Sequence, residues 1–242
     1  VPRINIVDKE VTYRSKIYFT PLLSQTEIDA EKVKKIIEAE YKAAGMKPED
    51  LQTGAVIITG ETARKHNANT VLASLSSMAG DFVVATAGPD LESVLSAKGA
   101  GADAFSEEHR QAVANIDIGG GTSNIALFQK GNLKGTSCLD IGGRLIKIEN
   151  GRISYIFPKI QKLAEAHGIH IAVGDRAEEA VLYKICEYMA DQLAMAIHAR
   201  EADSLHAGLY TNDGKPLTSE PKIDAITYSG GVASCYYNGE PA

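Results

Sequence analysis

The sequence predicts an α/β fold, and three observations carry that prediction. The first half alternates short β-branched runs with apolar residues at helical period. From Val113 onward, strand-like runs follow one another across tight-turn residues. Two strand signals, at 113–118 and 225–228, lead into consecutive glycines, the second across Ser229. The change of pattern divides the chain into a first α/β domain over 1–112 and a second over 113–242.

Taken in order, strand-like runs at 4–7 and 16–19 precede Ser24-Gln25-Thr26-Glu27, which has the Ser-x-x-Glu spacing of a capping box. A helix is expected to follow, laid over a sheet, with Val33, Ile36, Ile37, Tyr41 and Ala44 on its apolar face and Gly45 closing it in the left-handed conformation. The run 55–59 is short, β-branched and without alternation, as for a strand buried on both faces. Gly60 ends it ahead of a helical stretch over 61–78, and the strand signal repeats at 82–85. Pro89 then opens a short helix that Gly99-Ala100-Gly101 breaks.

Strands are expected next over 113–118, 124–128, 133–139, 145–148 and 152–156. Lys130-Gly131-Asn132 and Asn150-Gly151 tolerate positive φ and so mark hairpin turns. Helices follow over 159–166 and 176–200, the second with Val181, Ile185, Met189, Leu193, Ala196 and Ile197 on a broad apolar face. Asp213-Gly214, Pro216 and Pro221 mark a loop before a buried strand over 225–228.

Composition narrows the function. With 44% hydrophobic and 23% charged residues, the 242-residue chain has the make-up of a globular protein. A net charge of -6, with acidic and basic residues interspersed, gives no basic stripe to neutralise nucleic-acid phosphates. The longest apolar stretches are far shorter than the roughly 20 residues of a membrane-spanning helix. Cys138, Cys186 and Cys235 are odd in number and widely spaced, which fits a reducing cytosol better than a disulfide framework. None has the neighbouring positive charge that activates a thiol, so buried packing is expected of them. The chain opens at Val1-Pro2 with neither an initiator Met nor a signal-like segment, and reads as a piece of a longer protein.

The strongest chemical signal is Asn115-Ile116-Asp117-Ile118-Gly119-Gly120-Gly121-Thr122-Ser123-Asn124, set between two strands. Three glycines let backbone N–H groups approach an anion closely, and Thr122 adds a hydroxyl donor. Phosphate suits such a turn. Asp117 would repel that anion unless a cation lay between them, which points to magnesium or a magnesium-bound water. A hairpin that simply needs positive φ is the competing reading. The dinucleotide fingerprint is not matched, because this turn leads into a strand instead of a helix.

The second signal is Ser229-Gly230-Gly231 after the 225–228 strand, where missing side chains leave room for a base or ribose against the backbone. A third glycine pair, Gly142-Gly143 in Asp140-Ile141-Gly142-Gly143-Arg144, is expected mainly to turn the chain. His167 and His170 read as surface residues because no carboxylate or cysteine completes a metal set at suitable spacing, and Met189 and Met195 read as core.

The two turns, about a hundred residues apart with a long helix between them, stand in the order found in actin-like ATPases. The wording goes further. Together with Ile57-Ile58-Thr59-Gly60-Glu61-Thr62-Ala63 and Gly80-Asp81-Phe82-Val83-Val84-Ala85-Thr86-Ala87-Gly88-Pro89, the 115–124 segment resembles the reactivating factors of ethanolamine ammonia-lyase. The resemblance weakens between Arg152 and Lys222. It implies an actin-like (ribonuclease H-like) ATPase fold, two α/β domains around a nucleotide cleft, incomplete at both ends.

It also implies a chaperone that uses ATP and magnesium to expel damaged cobalamin from the inactivated lyase, so that adenosylcobalamin can rebind. Asp117 would be the metal-bearing catalytic position, Gly119, Gly120, Gly121 and Thr122 would contact phosphate, and Gly230 and Gly231 the adenosine. A cytoplasmic location, with association to a bacterial microcompartment, is implied in the same way.

Two departures qualify the expectation. No Asp-x-Gly-Thr first phosphate loop is present, so this chain is expected to bind ATP weakly and hydrolyse it slowly or not at all. The chaperone ATPases place a catalytic Glu before Pro, whereas Gly88 precedes Pro89 here, and Asp90 and Glu92 read better as helix N-terminal charges. A small-molecule kinase of the sugar-kinase type shares these loops, but no acceptor-side carboxylate base is evident. A non-catalytic actin-like scaffold subunit is the third reading.

Overall fold

A computed structural model describes residues 8, 10–16, 18, 20–24, 27–58, 66–76, 82–86, 88–218 and 221–239. The expected strand at 4–7, together with Gly60, Glu61 and Met78, lies outside them. Within 16–19, Lys16 and Tyr18 are in no strand, and Ile17 and Phe19 lie outside the described residues. Two compact units form, Val1–Ile58 with Thr62–Thr86, and Thr59–Glu61 with Ala87–Ala242.

In the first unit, β1 (Leu22–Ser24) pairs antiparallel with β2 (Glu27–Ile28), and α1 covers Ala30–Ala44. The expected Ser24 capping box is not what starts this helix. Ser24 and Glu27 belong to the strands, and Asp29 stands at the N-cap, accepting from the Lys32 N–H at 3.1 Å. An N-cap acceptor must sit directly before the first helical turn to reach its unpaired N–H groups, and Asp29 is the residue that does. The Lys32 ammonium and N–H hold its carboxyl below the ordinary value. Gly45, at φ 68°, closes the helix as expected.

Val33 and Ile37 of α1 pack with Ile28, with Val56 of β3 (Gly54–Ile58), and with Ala68, Val71 and Leu75 of α2 (Ala68–Ser76). Each fully buried aliphatic side chain of this kind contributes about 1.5–3 kcal/mol. The Asn67 amide substitutes for a strand edge, exchanging two 2.8 Å hydrogen bonds with the N–H and C=O of Ile28. β3 runs parallel to β4 (Phe82–Thr86), with α2 between them in sequence. Ala55 is exposed and Val56 and Ile58 are half-buried, so β3 is not buried on both faces. Its apolar composition signalled a strand but not the number of layers covering it.

The second unit is built on a four-stranded sheet of order β10-β5-β6-β7. It opens with α3 (Pro89–Gly99) and α4 (Ala102–His109), separated by Gly101 at φ 75°. The helix break is as expected, whereas the helix after it was not foreseen. Because both helices pack on this sheet through Ala97 and Ala102, the units part after Thr86, ahead of the expected change at 112/113.

β5 (Ala112–Ile118), β6 (Ser123–Gln129) and β7 (Asn132–Leu139) form the predicted antiparallel meander, followed by the separate hairpin of β8 (Ile146–Glu149) and β9 (Arg152–Ile156). Lys130-Gly131 and Asn150-Gly151 take φ values of 51°, 77°, 50° and 73°, the left-handed pairs that hairpins of matching twist require.

α5 (Pro158–Ala166) and α6 (Glu179–Ala196) follow. The second is shorter than 176–200. At one end Arg176 bridges to Arg152, and at the other His198 turns to φ 57°. β10 (Ala225–Ser229) then lies parallel to β5 and leads straight into α7 (Gly230–Asn238).

Alternation along β5 sorts the sheet's two faces. Ala114 and Ile116, with Ile125, Leu127 and Leu139, enter the main core against Ile160 and Leu163 of α5 and Ile185 and Leu193 of α6. Val113, Ala126 and Phe128 face Ala97 and Ala102. Beyond Val113 that second face changes character, because its next β5 positions are Asn115 and Asp117. β10 is the sheet's edge among the described residues, and Ile226 and Tyr228 are about 40% exposed, so the buried strand expected at 225–228 is half-exposed instead.

Candidate functional site

β5 and β10 run side by side in the same direction, with Asp117 opposite Ser229, so their carboxyl ends deliver both glycine turns to one edge of the sheet. The contact is tight. A Cβ on Gly230 would lie 2.4 Å from the Ile118 carbonyl oxygen and 3.0 Å from Asp117 Oδ1, and the residue has φ +87°. Only glycine meets both demands. At neighbouring Gly231 a Cβ would meet nothing within 4 Å.

The 119–122 turn closes on itself through a 2.9 Å bond from Gly119 N–H to the Thr122 carbonyl, with Thr122 buried. The Gly142-Gly143 pair supports it from behind. Gly143 and Arg144 donate their N–H groups to the carbonyls of Gly119 and Gly120 at 2.9 and 2.8 Å, and Ser123 Oγ donates to the Ile141 carbonyl at 2.7 Å. A Cβ on Gly142 would fall 2.6 Å from Gly120 backbone, and one on Gly143 would fall 2.6 Å from Val232 Cγ2 in α7. Three glycine turns thus nest backbone against backbone. The third shapes the first, in line with its expected turning role.

Asp117 is oriented by a one-way relay of hydrogen bonds across the β5–β10 pair. Thr227 Oγ1 donates to Asn115 Oδ1 at 2.8 Å, Asn115 Nδ2 to Ser229 Oγ at 3.1 Å, and Ser229 Oγ to Asp117 Oδ1 at 2.7 Å. Asn115 is fully buried. Ser229 also occupies the N-cap of α7, yet makes no side-chain cap, because its hydroxyl is committed to the carboxylate. The first-turn N–H groups of α7 therefore lack that partner, a condition that favours an anion at a helix start. Sequence reading assigned no role to Thr227, Asn115 or Ser229. Their signal was a polar residue at every second position of two otherwise apolar strands.

Asn124 stands opposite Asp117 in the β5–β6 register, 2% exposed, with its Oδ1 buried and without a hydrogen-bond partner. A carboxylate beside an unsatisfied amide oxygen suits a hard, partly hydrated cation such as magnesium, which is held by few protein oxygens plus water and phosphate. Among the described residues no cluster of three or more His, Cys, Asp or Glu could hold a metal ion.

A second buried polar set roots the 140–144 loop. Lys159 Nζ joins Asp140 Oδ2 at 2.6 Å and the Tyr210 carbonyl at 2.8 Å, while Asp140 N–H donates to the Leu209 carbonyl. Behind it, Gln192 Nε2 donates to Asp203 Oδ2 at 2.6 Å, which leaves Gln192 Oε1 to accept from His206 Nδ1 at 2.9 Å. His206 Nε2 then accepts from the Tyr210 hydroxyl at 2.9 Å. Burial pushes the His206 imidazole below its ordinary value against the opposing pull of Asp203, which keeps this neutral tautomer in place.

The remaining candidates resolve as structure. Asp90, in the first turn of α3, accepts from the Thr136 hydroxyl and pairs with Lys215 at 3.6 Å. His167 bonds the Leu163 carbonyl and stacks on Tyr188. Cys138 is buried as expected, but Cys186 is exposed and Cys235 half-exposed, a correction to the packing assigned to all three. Cys186 lies on the solvent side of α6, one position past the buried Ile185. No helix among the described residues is long and apolar enough to cross a membrane.

Residues 1–242 match the family model described as ethanolamine utilisation protein EutA. The ethanolamine ammonia-lyase reactivase EutA of Salmonella typhimurium is 40% identical over all of this chain and 51% of its own length. The protein of the same name from Escherichia coli is 39% identical over 98% of this chain and 50% of its own length. The chain therefore spans about half the length of the curated relatives it matches. Among solved structures, an Aquifex aeolicus member of the Ppx/GppA family aligns over 88% of this chain and 55% of its own. It is 17% identical, with a TM-score of 0.47.

Proposed function

The chain belongs to the EutA family of ethanolamine utilisation proteins, and from that premise we propose that it carries the ATP-binding part of a reactivating factor for ethanolamine ammonia-lyase. The parent protein uses ATP and magnesium to release damaged cobalamin from the inactivated lyase, so that adenosylcobalamin can rebind. Its fold in this reading is that of an actin-like ATPase, and its place of action is the cytoplasm, beside or within a microcompartment.

The single observation behind this reading is the convergence of two side-chain-poor turns at the carboxyl ends of adjacent parallel strands, with an oriented carboxylate between them. The N–H groups of Gly120 and Gly121 and the Thr122 hydroxyl would hold phosphate, with Gly119 shaping the turn through its bond to the Thr122 carbonyl. Asp117 and Asn124 would face a hydrated magnesium ion that neutralises phosphate charge, Asp117 serving as the metal-bearing catalytic position. Gly230 and Gly231 would leave the space that adenosine fills. The relay from Thr227 through Asn115 and Ser229 fixes which Asp117 oxygen is occupied by the protein and which is left for metal-bound water.

Titration of ATP with magnesium into this chain and into Asp117→Asn tests the site. Asparagine keeps the shape but loses the charge, so magnesium-dependent affinity should fall by about tenfold or more while melting is nearly unchanged. Equal affinities would remove Asp117 from the site. Recovery of cobalamin-inactivated lyase by the full-length protein, assayed against phosphoryl transfer to a panel of alcohols, separates the reactivating factor from a small-molecule kinase.

A further inference from the structure

We propose that Arg144 is a phosphate-binding residue of this site, clamping the nucleotide's phosphate chain over the Gly119-Gly120-Gly121 turn; the proposal rests on the reading of that turn as a phosphate cradle. Arg144 is anchored from its own backbone, whose N–H donates to the Gly120 carbonyl at 2.8 Å. Its stem then lies along the turn. A Cβ on Gly120 would stand 3.8, 3.7 and 3.3 Å from Arg144 Cβ, Cγ and Cδ, an approach that closes toward the end bearing the guanidinium. Both Gly120 and Arg144 are exposed, so neither is sealed beneath the turn.

Charge supplies the second argument. The turn follows Asp117 by one residue, so an incoming polyphosphate meets a carboxylate. One hydrated magnesium ion offsets part of that repulsion. A guanidinium brought to the phosphates from the Arg144 stem would offset more, and its planar fork can bind two phosphate oxygens at once. Anchoring through backbone and stem also lowers the side-chain entropy lost when the anion arrives.

The geometry makes Gly120 a specificity element as well. A Cβ there would meet the Arg144 stem at 3.3 Å, so any larger residue would oblige that stem to shift. The absence of a side chain at 120 thus serves the arginine as much as the phosphate.

The test is calorimetric titration of ATP with magnesium, and separately of adenosine, into this chain, Arg144→Ala and Arg144→Lys, with thermal melts as the fold control. Alanine should weaken ATP by about tenfold or more, as for loss of a charge-assisted contact, and leave adenosine within about twofold. Lysine should fall between, keeping the charge without the fork. The salt dependence of ATP binding should flatten in the alanine variant. ATP affinity within about twofold of the parent in Arg144→Ala, or parallel loss of ATP and adenosine, overturns the assignment. Absence of saturable ATP binding by the parent chain would instead overturn the reading of the turn itself, and this proposal with it.

Discussion

Two parallel strand pairs form among the described residues, β3–β4 and β5–β10, and they differ in what occupies alternate positions. β3 reads Gly54-Ala55-Val56-Ile57-Ile58, apolar throughout after its glycine, and its unit coheres through aliphatic contacts with α1 and α2. β5 reads Ala112-Val113-Ala114-Asn115-Ile116-Asp117-Ile118 and keeps its even-numbered positions for the core, while Asn115 and Asp117 meet Thr227 and Ser229 on the other face. The first pair is scaffold. The second spends burial on a hydrogen-bonded relay, an arrangement that is costly unless every partner is present, and such clusters mark places where orientation matters more than stability.

The largest effects should come from breaking the close backbone approach at the end of the second pair. Gly230→Val places a branched side chain at φ +87° and 2.4 Å from a carbonyl oxygen, and should destabilise the second unit by about 3 kcal/mol or more, read as a lowered urea midpoint. Gly231→Ala, one residue on, meets open space and should shift it by about 0.5 kcal/mol at most. Comparable losses at both would mean that the turn does not touch β5 as described.

Next in size is the relay itself. Asn115→Ala leaves the Thr227 and Ser229 hydroxyls short of partners and should cost about 1–3 kcal/mol, with Asp117 losing its fixed orientation. The matching truncation in the first unit, Val56→Ala, removes half-buried methyl groups and should cost about 1 kcal/mol or less, without effect on nucleotide binding. Reversal of that order would place the polar cluster among dispensable contacts.

The smallest effect concerns pH and the loop behind the site. His206 resists protonation when folded, so below about pH 6.5 the unfolded chain binds more protons than the native one. Stability should fall on acidification from that point and level off beneath the depressed folded value. His206→Gln should flatten this stretch of the pH–stability curve while the first unit's behaviour is unchanged. An unaltered curve would show that the imidazole takes up its proton equally in the native and unfolded protein, against the burial described.

What was legible in the sequence was whatever depends on neighbours along the chain. Lys130-Gly131 and Asn150-Gly151 announced their turns because φ sign is a local property, and Gly45 announced its helix end for the same reason. The α1 start was misread because a Ser-x-x-Glu spacing occurs at Ser24 by coincidence, five residues before Asp29 does the capping. Burial of β3 and β10 was overestimated, since an apolar run records strand preference and not whether a strand lies at an edge. The two glycine turns were visible singly. The relay that joins them was not, because the Thr227–Asn115 and Ser229–Asp117 bonds each span 112 residues and exist only once the parallel register is set.

The most direct test is a crystal structure of this chain with magnesium and a non-hydrolysable ATP analogue. Phosphate density against the Gly119–Thr122 turn, at the N–H groups of Gly120 and Gly121, with the ribose or base beside Gly230 and Gly231, is the expected result. Analogue bound at another surface, with the space between these turns empty, would contradict it.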